Sequence, residues 1–152
     1  MTDVNDWQSE VLPRLICNYA PSDIFNADEC GLFFKLMPDK SYVFKGEKCH
    51  GGKLSKERVT VLVGANSDGS EKLPLLMVGK SARPRCFKNI KRLPCQYKRQ
   101  ARAWMTGDLF ATWLKELDQK MAKTNRKILL FVDNCPSHPK NVNLKNVELA
   151  FL

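Results

Sequence analysis

The sequence predicts an α/β domain built on one mixed sheet with flanking helices, and three observations carry that expectation. The first half alternates short apolar or β-branched runs with turn chemistry; one strongly amphipathic helical stretch follows; and directly after it comes the wholly apolar run Ile128–Val132. At 152 residues, with 43% hydrophobic and 27% charged residues, the chain has the size and composition of one globular domain. No internal repeat, low-complexity tract or linker divides it, so residues 1–152 read as a single domain with a helical lead-in over 1–21.

Trp7, Val11, Leu12, Leu15 and Ile16 recur at helical spacing, with Pro13 limiting regularity, and the segment ends by Pro21. Ile24–Leu36 then reads as a strand. Pro38-Asp39-Lys40 supplies a turn, and Tyr42-Val43-Phe44 is the expected second arm of a long hairpin. The polar stretch 45–58, with three glycines and five basic residues, reads as an exposed loop. Val59–Ala65 is β-branched and strand-like, Ser67-Asp68-Gly69-Ser70 is turn chemistry, and Leu73–Val78 returns as its antiparallel partner. Leu109, Phe110, Trp113, Leu114, Leu117 and Met121 form the apolar stripe of the best helix. Thr106 is its candidate cap, Asp108 suits the positive end of its dipole, and Met105 is placed to staple against Phe110. Strand Ile128–Val132 follows, Pro136 and Pro139 interrupt the chain, and a last apolar run begins at Val147. A chain ending on Ala150-Phe151-Leu152 is expected to stop inside a fold, leaving the sheet architecture incomplete at its C-terminus.

Charge narrows the partners. The net charge is +9, from 25 Lys plus Arg against 16 Asp plus Glu. Between Lys80 and Arg102 the chain carries nine basic residues and no acidic one. Such a block either attracts polyanions by releasing their condensed counterions, with nucleic acid as the leading partner, or serves as a solvated loop that favours solubility. The six cysteines lack the paired short spacings of a structural zinc site, and Cys49-His50 is an isolated pair. An acidic, polar N-terminus and the absence of a long apolar run argue against secretion and membrane insertion, leaving cytoplasm or nucleus with reduced thiols.

Asp28 and Asp133 each close an apolar run. In a mixed sheet of this order the strand before Asp133, reached through the helical crossover, becomes a parallel neighbour of the strand bearing Asp28, and the two acids lie side by side. Two carboxylates at a few ångströms repel by about 4 kcal/mol at an effective dielectric near 20, so they coexist ionised with cations between them. Magnesium or manganese, which take oxygen ligands, fit that description. Taken as an isolated pair, the two aspartates read better as ordinary strand-end or capping groups.

Five stretches carry a family resemblance: Asp23 to Leu32 (DIFNADECGL), Gly51 to Thr60 (GGKLSKERVT), Gly79 to Phe87 (GKSARPRCF), Ala103 to Thr106 (AWMT) and Asp133 to His138 (DNCPSH). Together, in this order, they resemble the DDE endonuclease domain of pogo/Tigger-type transposases and their domesticated relatives, including centromere-protein-B-like and jerky-like proteins. The resemblance implies a ribonuclease-H-like fold, a nuclear location, DNA as partner, and a Mg or Mn site in which Asp28 and Asp133 are the first two catalytic and metal-binding acids. It also implies a third acid on a helix beyond the strand starting at Val147, so the chain is expected to lack full catalytic activity and to act as a DNA-binding domain, or as a non-catalytic nuclear binding or interaction module. Lys53, Lys56, Arg58, Lys80, Arg83 and Arg85 are the expected DNA contacts, each also readable as a solvated surface charge.

The remaining candidates are weaker. Glu29 should face away from Asp28 and serve structure, and Glu148 lies within the last strand where it does not fit a third ligand. His138 and Asn134 are expected to organise the turn after Asp133 through hydrogen bonds. Trp104, Trp113 and Phe110 are expected in the core.

Overall fold

The described residues place six strands in one sheet. In chain order its strands are β1 (Ile24–Leu32), β2 (Val59–Asn66), β3 (Leu76–Gly79), β4 (Gln96–Arg99), β5 (Ile128–Val132) and β6 (Val147–Phe151), and across the sheet they lie β4-β3-β2-β1-β5-β6. This computed structural model describes residues 4–36, 42, 44–46 and 57–152. β1 pairs antiparallel with β2 and parallel with β5, β2 pairs antiparallel with β3, and the outer pairs β3–β4 and β5–β6 are parallel. Only β2 therefore runs against the other described strands.

The long helix α3 (Gly107–Lys123) crosses one face of the sheet between β4 and β5. Its stripe behaves as its sequence dictates: Phe110, Trp113, Leu114, Leu117 and Met121 are buried against Phe25, Leu62, Leu76, Val78, Ile128, Leu130 and Val132. Thr106 caps its start, its hydroxyl accepting the Leu109 N–H at 3.4 Å, and Met105 is buried in the same cluster. At its other end Asn125 adopts φ +51°, the left-handed turn that stops a helix. On its way, Asp118 accepts the N–H groups of Lys145, Asn146 and Val147 at 2.6–3.0 Å and so ties the helix to the entrance of β6.

The opposite face is covered by the N-terminal lead-in. α1 (Val4–Asp6) continues through a π-helical turn, Trp7–Val11, into α2 (Leu12–Ile16). Pro13, which has no N–H to give, sits where the wider turn hands over to α2. Trp7, Leu12, Leu15, Ile16 and Tyr19 pack on Leu129, Phe131 and Ala150. The alternation of β5 explains both layers, since Ile128, Leu130 and Val132 face α3 while Leu129 and Phe131 face the lead-in.

Two expectations are corrected. Tyr42 and Phe44 lie in no strand, and the antiparallel partner of β1 is β2; the rest of the expected hairpin arm, and Cys49-His50, fall outside the described residues. The basic block also contains a strand, β4, which pairs in parallel with β3. Its alternation was masked by charge: Tyr97 packs over Gly79, where any Cβ would overlap the Tyr97 hydroxyl, while Lys98 reaches Glu116 on α3. The turn at 67–70 forms as its residues require, with Gly69 at φ +73° and Asp68 accepting the Ser70 N–H and hydroxyl.

Arg126, in the loop between α3 and β5, joins three parts of the chain. Its guanidinium donates to Asp23 at the entrance of β1, to Glu71 beyond the β2 turn and to the Ser22 carbonyl, at 2.7–3.0 Å. The Arg126 hydrogen bond holds the Glu71 carboxyl below its ordinary value of 4.5, outweighing its partial burial, and Lys120 adds to the effect. Arg126→Ala is expected to lower the unfolding free energy by about 2 kcal/mol, read from the urea midpoint at neutral pH. Because the Glu71 value is depressed in the folded state, its contribution is complete above about pH 4.5 and is lost as pH falls through the lower folded value. A pH series of denaturation midpoints should show that acid-side loss in the wild type and a smaller one in Arg126→Ala.

Candidate functional site

The chain reverses its direction of travel across the sheet between β1 and β5. From β1 it builds outward through β2, β3 and β4; after α3 it returns to the other side of β1 and builds outward again through β5 and β6. In open α/β sheets, the crevice beyond the carboxyl ends of two such strands is where ligands bind, because the flanking connections diverge there and leave the strand ends uncovered. The parallel register sets Ile24 against Leu129, Phe25 against Leu130 and Asn26 against Phe131. Asp28 lies two positions past Asn26 on β1, which continues to Leu32, and Asp133 lies two positions past Phe131, just beyond the end of β5.

The side chains at that edge divide between the two faces. Glu29, on the α3 face with Phe25 and Ala27, meets His138 from the connection between β5 and β6. His138 Nε2 lies 3.0 and 3.1 Å from the two Glu29 carboxylate oxygens. Its Nδ1 lies 3.0 Å from the Asp133 carbonyl and 2.7 Å from Asp133 Oδ1. The ring is 3% exposed and stacks on Phe110, with centroids 4.1 Å apart and planes at 28°. Burial pushes the imidazole down, but the Asp133 carbonyl and the Glu29 and Asp133 carboxylates outweigh it, and the net shift is upward from 6.5. With an acceptor on each ring nitrogen, the doubly protonated imidazolium satisfies every partner. Glu29, Asp133 and His138 form the single group among the described residues whose His, Cys, Asp or Glu ligand atoms all lie within 4.8 Å of one another.

Asp28 stands apart from that group. It is exposed, and its Oδ1 accepts the Glu29 N–H at 2.7 Å. By alternation it shares a face with Asn26, and with Val63 and Ala65 of β2 it lines an open groove. Asp133 is itself 58% exposed at its side chain, so its second carboxylate oxygen is accessible at the strand mouth. Glu148 is occupied elsewhere: it pairs with Leu129, four positions before Asp133, and accepts the Tyr19 hydroxyl at 2.7 Å. That bond, together with burial, pushes the Tyr19 phenol up to about 12, with burial the larger cause.

Of the expected DNA contacts, Lys53 and Lys56 lie outside the described residues. Lys80, Arg83 and Arg85 are exposed, just after β3. Arg58 precedes β2, at the same edge of the sheet as the aspartates, and is only partly exposed. Its guanidinium lies 3.5 Å from the centroid of the Trp104 ring and 5.9 Å from that of Phe33. Trp104 was expected in the core, and this is corrected: the residue precedes α3, outside its apolar stripe, and is 56% exposed. The buried residues there are its neighbours Ala103 and Met105.

The turn that holds Trp104 outward is heavily anchored. Gln100 accepts the N–H groups of Arg102 and Trp104 on its side-chain oxygen and that of Ala103 on its carbonyl. Thr60, buried on β2, donates to the Ala103 carbonyl at 2.7 Å. Ala103 sits at φ +55°, a conformation that costs a residue with a Cβ roughly 1–2 kcal/mol. Neither the Glu29–His138 pair nor the Arg58–Trp104 stack was found by sequence reasoning; each joins residues more than forty positions apart, and no local spacing signals such a contact.

The matches to known proteins cover most of the chain. Residues 56–152 match the family model described as DDE superfamily endonuclease. The mouse protein named Tigger transposable element-derived protein 4 is 48% identical over 145 residues, a match covering 95% of this chain and 28% of that protein. Human Major centromere autoantigen B is 35% identical over 148 residues, covering 95% of this chain and 24% of that protein, and the human Jerky protein homolog is 34% identical over 140 residues, covering 85% and 25%. The chain thus spans about a quarter of the length of these relatives. A solved structure titled Mos1 transposase paired-end complex with left transposon end superposes with a TM-score of 0.51 at 16% identity, over 87% of this chain and 34% of that one, and supports the ribonuclease-H-like fold. On the family match and these identities, the chain belongs to the DDE superfamily endonuclease family, in its pogo/Tigger-type branch.

Proposed function

We propose that this transposase-derived chain binds DNA at the β1–β5 edge together with a divalent cation, and that residues 1–152 by themselves do not cut it. The observation that supports the reading best is the parallel β1–β5 pairing at the point where the sheet changes direction, with Asp28 two positions past its last paired residue on β1 and Asp133 two positions past its last on β5. The donor set suits Mg or Mn. Both candidate ligands are accessible carboxylates, which are hard oxygen donors, and Asp133 keeps one oxygen outside its bond to His138. A cation held there would supply charge neutralisation for a phosphodiester oxygen.

The neighbouring residues have supporting tasks. Glu29 holds His138, and His138 Nδ1 grips Asp133 through its carbonyl and one carboxylate oxygen, fixing the turn on which that acid stands. Lys53, Lys56, Arg58, Lys80, Arg83 and Arg85 supply cations for the phosphate backbone. Catalysis asks for more than this group offers, because in-line displacement needs its metals fixed by further carboxylates. Glu148 does not answer, being about 13 Å back along the sheet and bonded to Tyr19. Residues 1–152 act on this reading as one domain, with 1–21 its helical lead-in, working in the nucleus. The relatives' names, which speak of transposable elements and centromeres, fit a role on chromosomal DNA. No helix among the described residues is long and apolar enough to cross a membrane.

Manganese provides a test independent of activity. Titrated into labelled protein, it should broaden the resonances of Asp28 and Asp133 selectively, and Asp28→Asn with Asp133→Asn should abolish the effect; broadening spread evenly over surface acids would refute the site. His138→Ala leaves Glu29 half-buried without its partner and should lower stability by about 3 kcal/mol in urea denaturation, with weaker manganese binding than the wild type. For DNA, the logarithm of affinity should fall linearly with the logarithm of salt, and each of Lys80→Gln, Arg83→Gln and Arg85→Gln should reduce that slope by about one. The double aspartate variant should retain this binding.

A further inference from the structure

We propose that Trp104, backed by Arg58, is a stacking platform for one unpaired base of a nucleic-acid strand passing along the candidate site. The proposal rests on the DNA-binding reading above and adds to it the form of the substrate: a strand with at least one base out of the duplex stack.

Four observations converge on it. Trp104 is the one tryptophan of the three that is more than half exposed, although an indole normally gains from burial. Its exposure is enforced, since Gln100, Thr60 and a left-handed Ala103 together hold the turn that presents it. One ring face is already taken by the Arg58 guanidinium at 3.5 Å, which orients the indole and places a positive charge against it. One guanidinium nitrogen, Arg58 Nη2, is enclosed and has no hydrogen-bond partner among the described residues. A cation at the back of an exposed aromatic ring favours an electron-rich, anionic occupant, and a nucleotide offers both a π-face and a phosphate. Arg102, exposed in the same turn, adds a further cation with no acid between Lys80 and itself.

Position supports the same occupant. In the β1–β2 register Leu32 lies against Val59, so Arg58 stands one step beyond the end of β1, opposite Phe33. That is five residues past Asp28, about 17 Å at 3.3–3.4 Å per residue, and on the strand-end side of the sheet. Arg58 follows the alternation of Thr60 and Leu62 and so lies on the α3 face, the side from which His138 holds Asp133, whereas Asp28 faces away. One strand of DNA advances about 3.4 Å per nucleotide in duplex form, so a strand passing the exposed Asp133 carboxylate reaches Trp104 within about five nucleotides. The indole therefore takes a base flanking the phosphate at the acidic edge, not the phosphate itself.

The test compares two DNA probes, an oligonucleotide of about 12 nucleotides and the blunt duplex of the same sequence, with the whole chain at fixed low salt. Trp104→Leu, which keeps apolar bulk but removes the ring, should weaken single-strand binding about tenfold and blunt-duplex binding less than about twofold. Trp104→Phe, which keeps a π-face, should stay within about threefold of the wild type on both probes. The salt slope should be unchanged in both tryptophan variants, since stacking releases no counterions, and reduced by about one in Arg58→Gln. Equal losses on the two probes in Trp104→Leu, or no loss on the single strand, overturn the platform while the salt-dependent binding of the wild type leaves DNA recognition standing. Failure of the wild type to bind either probe overturns both readings.

Discussion

The parallel pairing of β1 with β5 is the constraint from which the rest of the arrangement follows. β1 is central, held on one side by an antiparallel partner next in the chain and on the other by a strand that comes about a hundred residues later. To bring β5 there, the chain must cross the sheet, and α3 is that crossing. Its apolar stripe is buried on the face that β1, β2, β3 and β5 present in common. Fixing the register of two parallel strands also fixes which residues stand together at their carboxyl ends. The chemistry-bearing edge is a by-product of core packing, because the pairing that sets Phe25 beside Leu130 in the layer under Phe110 also brings Glu29 of β1 within reach of His138 and, through it, of Asp133.

At that edge, two kinds of carboxylate are distinguished by the face they occupy. Glu29 follows the core-facing alternation of β1 and finds a buried imidazole; Asp28, one residue earlier, faces away, is exposed, and accepts a backbone N–H. Asp133 belongs partly to each environment, bonded to His138 by one oxygen while its side chain stays mostly exposed. The stacking of His138 on Phe110 connects this polar group to the hydrophobic layer. The acid at the end of β5 is thereby positioned by the same side chain that heads the α3 stripe.

Much of this was legible in the sequence because its signals are local. The stripe from Leu109 to Met121, the Thr106 cap, the apolar run before Asp133 and the turn at Gly69 each depend on a few neighbouring residues, and each formed as its chemistry requires. The β1–β5 adjacency followed from connection rules applied to those elements. What escaped was decided by distant contacts. β4 hid within a basic block because Lys98 and Arg99 mask its alternation, and its place beside β3 is set by pairing with residues about twenty positions earlier. Trp104 looked like an extension of the helical stripe, yet it lies before the cap, where a left-handed residue turns it outward. Arg58 read as one surface cation among six; only the folded sheet brings it onto an indole.

The bonds from Asp118 to the entrance of β6 carry a consequence for how an outer strand is aligned. Val147, Leu149 and Phe151 of β6 face α3, whereas Ala150 faces the lead-in and Glu148 is available to Tyr19. Sliding the strand by one residue would exchange the faces and drive the Glu148 carboxylate beneath the helix. Three backbone N–H groups converging on one helical carboxylate make that displacement costly at its first step. The helix thus serves as a ruler for the sheet: the alignment of its last strand is read from a side chain on α3, not left to the irregular connection that delivers it.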